Sequence, residues 1–288
     1  MDGIIVVNKP KGYTSHDVVA KLRKILNIKK IGHTGTLDPN ATGVLPILIG
    51  KGTLLSSYLI EHDKIYKAVI KLGEETDTLD GEGKVIKEKQ IPKEALEKEN
   101  LEKALQSFLG KQEQIPPIYS AIKVNGKKLY EYARKGQEVE IKPRQIEIYD
   151  IKLDKIEEDR IAFIVHVSKG TYIRSLCADI AKRLGTVGYM ENLERQKVGN
   201  FTIQNSYTIE EIEKNIDDKI ITIEDFFESK EKIELSNKKL ELFLNGVMLK
   251  YNIKEELYRI YDEQNNFIGI GEVKDNKLKR KIVIWHFT

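Results

Sequence analysis

The spacing of hydrophobic and polar residues divides the chain into a long region of mixed strands and helices and a shorter tail. Five segments of the long region have the apolar runs or the two-residue alternation of strands: Gly3–Asn8, Val44–Ile49, Lys64–Leu72, 145–156 and 160–168. Apolar residues at helical spacing follow Ser15, Lys98 and Thr171, and Ser15 and Thr171 are the predicted helix caps. This mixture predicts an α+β (mixed α/β) fold with a central mixed or antiparallel sheet.

The pattern changes after a charged stretch around Glu228–Lys232. Beyond it, short apolar segments are separated by turn residues: Leu240–Leu244, Leu257–Tyr261, Phe267–Val273 and Lys281–His286. This arrangement predicts a small β domain. A chain of 288 residues is long enough for one large and one small domain. We therefore expect two domains, residues 1–229 and residues 230–288.

Composition narrows the class of protein. The longest apolar runs are well below the roughly 18 residues of a membrane span, and the N-terminal MDGIIVVNKPKG lacks the pattern of a signal peptide. The single cysteine, Cys177, cannot form a disulfide framework and fits a reducing compartment, so a cytoplasmic protein is expected. The five histidines are scattered without the spacing of metal ligands, so we expect neither a metal ion nor another cofactor.

Basic and aromatic residues alternate in one segment. The formal net charge of +3 is too small to indicate a nucleic-acid partner by itself. Between Gln114 and Gly136, however, three tyrosines stand among lysines and arginine: Tyr119, Tyr130 and Tyr132 with Lys123, Lys127, Lys128 and Arg134. Such a segment can stack on RNA bases and contact phosphates. A surface hairpin that packs its own tyrosines fits the residues equally well.

The stretch Gly32–Pro46, GHTGTLDPNATGVLP, is the candidate reactive loop. Its glycines and prolines disfavour a helix and require tight turns. Pro39 biases Asp38 toward an extended backbone, so a carboxylate is displayed on an irregular loop that leads into the apolar run Val44–Ile49. Asp38 could be a catalytic group, or it could cap a turn; local chemistry leaves both interpretations open.

Further candidates come from the neighbouring elements. Tyr66 begins the inward face of the predicted strand Lys64–Leu72, where it is either a core residue or a ring that faces a substrate. Arg174 lies in the first turn of a helix, where a cation is disfavoured unless a carboxylate is close. Asp77 and Asp80 do not fit an EF-hand, because Leu79 and Gly81 stand where ligands would be needed. A metal-dependent RNA hydrolase that uses Asp38, Asp77 and Asp80 remains an alternative.

Four stretches of the chain resemble the TruB family, the tRNA pseudouridine-55 synthases. The most specific is GHTGTLDPNATGVLPI, and the others are NKPKGYTSHDVV, KIYKAVIKLGEETDTLDGEG and SKGTYIRSLCADIAKRLG. In the tail, NGVMLK and FIGIGEV resemble a PUA domain less specifically. In the family a leucine, here Leu193, is followed by basic residues. Glu194 and Gln196 depart from that pattern, which affects the RNA contacts expected next to Leu193.

The resemblance implies a fold, a reaction and a partner. The fold would be a pseudouridine-synthase catalytic domain with an RNA-gripping insertion at about 112–136, followed by a PUA-like RNA-binding β-barrel. The reaction would be the isomerisation of uridine 55 in the tRNA T-loop to pseudouridine, without a metal or cofactor. The partner would be the T-arm of tRNA, bound by a monomer. A catalytically silent tRNA-binding or RNA-folding protein on the same scaffold is the alternative.

The resemblance also implies roles for individual residues. Asp38 would be the nucleophile, Tyr66 would stack on the uracil of the flipped-out uridine, and Arg174 would pair with Asp38. The implied substrate-binding residues are His33, Tyr172, Leu193 and Lys9. No residue is implied as a metal ligand or a cofactor ligand.

Overall fold

The computed structural model describes residues 1–284 and contains both strands and helices. The strands are β1 Gly3–Lys9, β2 Ile31–His33, β3 Thr42–Ile49, β4 Lys64–Leu72, β5 Glu74–Thr76, β6 Val85–Glu88, β7 Gly110–Gln114, β8 Lys123–Val124, β9 Lys127–Lys128, β10 Arg144–Glu157, β11 Arg160–Val167, β12 Gly188–Val198, β13 Phe201–Thr202, β14 Lys232–Glu234, β15 Leu249–Lys250, β16 Leu257–Tyr261, β17 Phe267–Lys274 and β18 Lys277–Val283. The α-helices are α1 Ser15–Leu26, α2 Ser56–Ile60, α3 Lys98–Gln106, α4 Leu129–Ala133, α5 Ile173–Arg183, α6 Ile209–Lys214, α7 Ile223–Phe226 and α8 Asn237–Leu244. Short 3₁₀ turns lie at Gly50–Leu55, Lys93–Leu96, Ile203–Asn205 and Asp217–Lys219.

A nine-stranded sheet forms the centre of the larger region. Its order is β1-β3-β12-β4-β11-β10-β7, with β2 paired to β3 and β13 paired to β12. Strands β3 and β12 run parallel, whereas β4 pairs antiparallel with both β12 and β11. The sheet is therefore mixed, and the predicted α+β fold class is confirmed. Within the described residues, no helix has the length and apolar character needed to cross a membrane.

The core explains why the predicted elements form. Strand β4 buries Tyr66, Ala68, Ile70 and Leu72 and leaves the intervening residues partly exposed, as its alternation predicts. The apolar stripe of α5 covers this face together with α3. Because the inward face of β4 and the first turn of α5 meet here, the sheet and helix together position the side chains of the candidate site.

Two helix caps differ from the predictions. Thr14, not Ser15, caps α1, because the Thr14 hydroxyl accepts a backbone N–H from the first turn. Ser15 is buried and instead exchanges hydrogen bonds with the backbone of Leu37. Thr171 does not cap α5, since its hydroxyl donates to the carbonyl of Ser168 at 3.0 Å. Ser15 thus connects α1 to the loop that carries Asp38, and Thr171 closes a turn within the loop that precedes α5.

A separate five-stranded sheet, in the order β14-β16-β17-β18-β15, forms the tail and confirms the predicted small β domain. The segment Leu240–Leu244 lies in helix α8 rather than in a strand, because a short apolar run fits either structure. The last predicted segment, Lys281–His286, is only partly represented. It enters β18 as far as Val283, and Trp285 and His286 lie outside the described residues.

The tail packs directly on the larger region. Ile270 and Ile282 of the tail are buried in one apolar cluster with Leu55, Leu59 and Phe227. Polar contacts cross the same boundary: Lys51 Nζ donates to Ile284 O at 2.5 Å, and Tyr261 Oη donates to Glu224 Oε1 at 2.6 Å. The tail therefore shares a hydrophobic core with the sheet of the larger region.

Candidate active site

A cavity of about 840 Å³ opens between the loop that carries Asp38, strands β4 and β12, the first turn of α5 and the insertion at about 112–136. Its wall includes five of the seven candidate site residues that the sequence singled out: Asp38, Tyr66, Tyr172, Arg174 and Leu193. Their positions in the chain are more than 150 residues apart at the extremes, and the fold brings them together. A cavity of this size matches the usual volume of small-molecule and nucleotide sites.

The Asp38 loop is held from beneath by a buried arginine of β12. Arg195 Nε donates to Val44 O at 2.7 Å, and Nη2 donates to Gly35 O at 3.0 Å. Gly43 has φ +101°, and a Cβ there would lie 2.3 Å from Arg195 O. Only glycine allows this close approach of β3 to β12. The sequence prediction missed Arg195, which lies between the two residues noted as departures from the family pattern.

Lys9 holds the same loop from another side and does not line the cavity. Its side chain is fully buried, and Nζ donates to the carbonyls of Pro39 at 3.0 Å, Tyr13 at 2.5 Å and Pro10 at 3.0 Å. Burial lowers the pKa of Lys9 to about 8, although the nearby Asp38 carboxylate opposes the shift. In this arrangement Lys9 supports the backbone just after Asp38, and it has no direct access to a molecule in the cavity.

Arg174 and Asp38 form an ion pair at the wall of the cavity. Arg174 Nε lies 3.2 Å from Asp38 Oδ2, and the exposed fractions of the two side chains are 8% and 40%. The carboxylate is therefore open to the cavity while its counter-ion lies behind it. The same guanidinium donates from Nη2 to Tyr119 O at 2.9 Å and from Nη1 to Thr78 O at 3.3 Å. These bonds fix the guanidinium plane, and the carboxylate partner that the sequence led us to expect for this arginine is Asp38.

Asp80 is a second carboxylate on Arg174, although the sequence alone suggested it only as a metal ligand. Arg174 Nη1 lies 3.2 Å from Asp80 Oδ2. The Asp80 side chain is further oriented by Thr78, whose hydroxyl donates to Oδ1 at 2.6 Å. Asp77 instead accepts from the Lys84 N–H at 2.9 Å. A guanidinium thus already bridges Asp38 and Asp80, which argues against a divalent cation held by these two carboxylates.

Tyr66 and Leu193 come from adjacent strands. In the register of β4 and β12, Leu193 lies opposite Ala68 and Arg195 lies opposite Tyr66. Both Tyr66 and Leu193 are largely buried and line the cavity. The sequence did not predict strand β12, although it did indicate Leu193. The two residues give the cavity an aromatic wall and an aliphatic wall next to the Asp38 carboxylate.

Tyr172 is placed by a glutamine that the sequence pattern did not indicate. The buried amide of Gln114 donates to Tyr172 O at 3.0 Å and accepts from Tyr172 N at 2.8 Å. Close by, the Ser175 hydroxyl donates to Ile115 O at 2.9 Å. These bonds fasten the end of β7 to the start of α5. They determine where Tyr172 and Arg174 lie relative to the insertion.

His33 lies at the end of β2, next to the cavity but not among the residues that line it. Its half-buried ring packs edge-on against His16, with 5.1 Å between ring centroids. Burial lowers the pKa of His33, and the neighbouring charges of His16 and Arg195 lower it further. His33 is therefore held in the neutral form more strongly than an exposed histidine.

The insertion contributes aromatic residues and cations to the rim. Tyr119 and Tyr130 line the cavity, and the cationic groups of Lys128 and Arg134 each lie 5.4 Å from the centre of the Tyr130 ring. Tyr132 instead donates to the carbonyl of Val124 at 3.1 Å. The hairpin therefore does pack some of its own tyrosines, as one of the two interpretations held, while presenting others to the cavity.

Three family models match consecutive parts of the chain. The model described as TruB family pseudouridylate synthase (N terminal domain) matches residues 23–173. The tRNA pseudouridylate synthase B C-terminal domain matches residues 174–231, and the model for Pseudouridine synthase II TruB, C-terminal, matches residues 232–284. The first model alone covers more than half of the chain.

Curated relatives match over nearly the full length. The tRNA pseudouridine synthase B of Caldanaerobacter subterraneus subsp. tengcongensis is 47% identical over 286 residues, which cover 98% of this chain and 98% of that protein. The protein of the same name from Clostridium kluyveri is 46% identical, with coverage of 97% and 98%.

Solved structures share the fold. A chain in the crystal structure of a Cbf5–Nop10–Gar1 complex superposes with a TM-score of 0.69 at 26% identity, covering 99% of this chain and 84% of that one. A chain in the structure of an H/ACA RNP bound to a substrate RNA containing 2′-deoxyuridine gives a TM-score of 0.70 at 24% identity, covering 99% and 85%. The resemblance predicted from four motifs is confirmed by these matches, and the chain belongs to the TruB family of pseudouridylate synthases.

Proposed function

We propose that this protein converts a uridine of tRNA to pseudouridine, and that its target is uridine 55 in the T-loop. The activity is supported by the family to which the chain belongs and by relatives named tRNA pseudouridine synthase B. The observation that carries the proposal is the Asp38–Arg174 pair, in which an open carboxylate faces a cavity and its cation lies buried behind it.

The reaction makes specific demands on a site. The N1–C1′ bond of uridine must break, the uracil must turn, and C5 must bond to C1′, while C5 loses its proton and N1 gains one. The base must first leave its stack in the folded RNA, at a cost of roughly a few kcal/mol. A cavity with an aromatic wall can accept the flipped base and hold the uracil while it is detached. The cavity beside Asp38 meets this demand through Tyr66 and Leu193.

We assign the nucleophile to Asp38, which forms and later releases a covalent bond to the uridine. Arg174 keeps the carboxylate ionised and oriented, since an adjacent cation favours the charged form. Tyr66 stacks on the uracil and supplies a hydroxyl for proton transfer, Leu193 forms the apolar wall, and Tyr172 contacts the nucleotide. This division of roles uses residues that the fold brings to one wall of the cavity.

His33 and Lys9 act from outside the lining residues. His33 stacks in the space that the flipped nucleotides leave in the RNA, as the family resemblance implies. Lys9 supports the reaction indirectly, because its buried ammonium holds the carbonyl of Pro39 next to Asp38. Neither role requires a bound metal or cofactor.

The T-arm of tRNA is bound, we propose, by the insertion at about 112–136 and by a PUA-like domain at 230–288, with catalysis confined to residues 1–229. We propose that the protein acts as a monomer. Because the relatives are named for a tRNA substrate, we propose a cytoplasmic location. Lys64, whose pKa burial lowers to about 8, adds to the cationic rim of the cavity together with Arg144 and Lys169.

The test is to incubate the protein with an unmodified tRNA transcript and map pseudouridine by chemical probing. Asp38→Asn should abolish turnover and leave tRNA affinity within a few-fold, because the change is nearly isosteric and removes only the ionisable group. Asp77→Asn, in the turn whose Asp80 contacts Arg174, is the matched control and should remain active. Pseudouridine formation by Asp38→Asn would remove Asp38 from the proposed role. Affinity without turnover in the unaltered protein would support the silent RNA-binding alternative.

A further inference from the structure

Among residues 1–284, buried side-chain polar atoms without a hydrogen-bond partner occur at three residues: His33 Nδ1, Thr34 Oγ1 and Ser120 Oγ. Thr34 is 2% exposed and Ser120 is 6% exposed, and both line the cavity that contains Asp38. Native proteins pair roughly 90% or more of their buried polar groups, so each exception calls for an explanation. Two residues that line one cavity thus carry hydroxyls without a hydrogen-bond partner in the protein.

The backbone around each hydroxyl is fixed, which leaves only the side chain available to a ligand. Ser120 O accepts from the Tyr130 N–H at 3.2 Å, and the preceding carbonyl, that of Tyr119, accepts from Arg174 at 2.9 Å. The Thr34 N–H donates to Pro46 O at 3.2 Å, and the following carbonyl, that of Gly35, accepts from Arg195. The main chain of both residues is therefore held in place, and each hydroxyl is left without a protein partner.

We propose that the hydroxyls of Thr34 and Ser120 are substrate-binding groups that hydrogen-bond the oxygen-bearing edge of the flipped nucleotide. The inference rests on the proposed function. Uracil carries a carbonyl on each side of its N3–H, and turning the ring so that C5 replaces N1 exchanges the two carbonyls. A hydroxyl that donates to one carbonyl of the uracil therefore meets a carbonyl oxygen both before and after the ring turns. The ribose 2′-OH offers the same hydrogen-bonding chemistry and is the other possible partner.

The structure provides a matched control. Ser175 is 5% exposed, nearly the same as Ser120, but its hydroxyl already donates to Ile115 O at 2.9 Å, and it does not line the cavity. Ser175→Ala removes a satisfied hydroxyl and should lower the melting temperature. Ser120→Ala and Thr34→Val remove hydroxyls that have no protein partner, so they should leave the melting temperature unchanged or raise it.

The kinetic readout is kcat/KM on an unmodified tRNA transcript. Ser120→Ala and Thr34→Val should each lower kcat/KM by about 10- to 100-fold, the reduction expected when a substrate oxygen is left unpaired in a closed site. The same measurement on a transcript with a 2′-deoxy target nucleotide assigns the partner. A penalty that persists places the hydrogen bond on the base, and a penalty that disappears places it on the ribose; either supports the inference.

A structural role would produce a different pattern: a lower melting temperature for Ser120→Ala, with kcat/KM per folded molecule unchanged. That pattern would overturn the inference while the unaltered protein still formed pseudouridine. If the unaltered protein formed none, the proposed function would fail instead. The inference would then be judged by the affinity of each variant for tRNA. Each variant should bind tRNA more weakly than the unaltered protein, and equal affinity would contradict the inference.

Discussion

Removal of the tail is the perturbation for which the structure gives the clearest magnitude. A version of the protein that ends at Glu228 lacks Ile270 and Ile282, both buried in the apolar cluster that contains Leu59 and Phe227. Burial of one large aliphatic side chain contributes about 1.5–3 kcal/mol, so these two contribute roughly 3–6 kcal/mol. A domain of this size has a total stability of about 5–15 kcal/mol. The shortened protein should therefore melt on the order of 10 °C lower and aggregate through the uncovered apolar face.

This expectation separates the structural role of the tail from its proposed role in RNA binding. Lys277 and Lys279 are exposed on β18, away from the buried face, so the double substitution Lys277→Ala, Lys279→Ala is the control. It should leave the melting temperature unchanged, raise KM and reduce the slope of log affinity against log salt by roughly 0.7–0.9 for each phosphate that is no longer neutralised. Calorimetry, light scattering and salt titration of tRNA binding provide the readouts. A shortened protein that stays monodisperse with an unchanged melting temperature would refute the packing argument.

Three further predictions concern groups around the Asp38 loop. Arg174→Lys keeps the charge, but lysine has one nitrogen where the guanidinium contacts its acceptors through three. Single-turnover rates should therefore fall by roughly 10²–10³. Normal turnover would contradict the importance of the guanidinium geometry. Asp80→Asn should lower kcat about tenfold because the Arg174 guanidinium is then paired with one carboxylate instead of two, and a comparable decrease in Asp77→Asn would show that the turn, not the ion pair, matters. Burial lowers the pKa of Lys9 to about 8, so between pH 8 and about 10.5 the unfolded chain binds the Lys9 proton and the folded protein does not. Across that pH range, the unfolding free energy of the unaltered protein should therefore rise by on the order of 3 kcal/mol relative to that of Lys9→Met. A difference in unfolding free energy that does not change with pH would contradict the lowered pKa.

The spacing of apolar residues was sufficient to predict the elements whose buried side chains recur at a regular interval. Strand β4 begins and ends at the predicted residues, because every second side chain from Tyr66 onward is apolar and buried. The glycines and prolines around Asp38 likewise predicted an irregular loop before a buried strand. The motifs added the expectation that Arg174 pairs with Asp38, and the structure contains that ion pair at 3.2 Å.

Pattern was insufficient where polar side chains are buried by partners far along the chain. Strand β12 lies at the centre of the sheet but contains many charged and amide residues, so its sequence resembles an exposed segment. Arg195 is buried because it reaches the carbonyl of Val44, 151 positions away. Gln114 reaches Tyr172 across 58 positions. No local spacing encodes such pairs, and each satisfies a buried polar group through the tertiary fold.

The groups around Asp38 hold the main chain as well as side chains. Lys9 holds the carbonyl of Pro39, Arg195 holds that of Gly35, and Arg174 holds that of Tyr119. A carbonyl is present whatever residue stands at the position, so the side chain at 119 can be exchanged while the backbone bond to the guanidinium is kept. The surface of the insertion, which we propose contacts RNA, can therefore diversify while the ion pair stays in place, provided that the path of the backbone is kept. An engineer who wishes to change which RNA is accepted has freedom in the side chains of the insertion, and very little in its length.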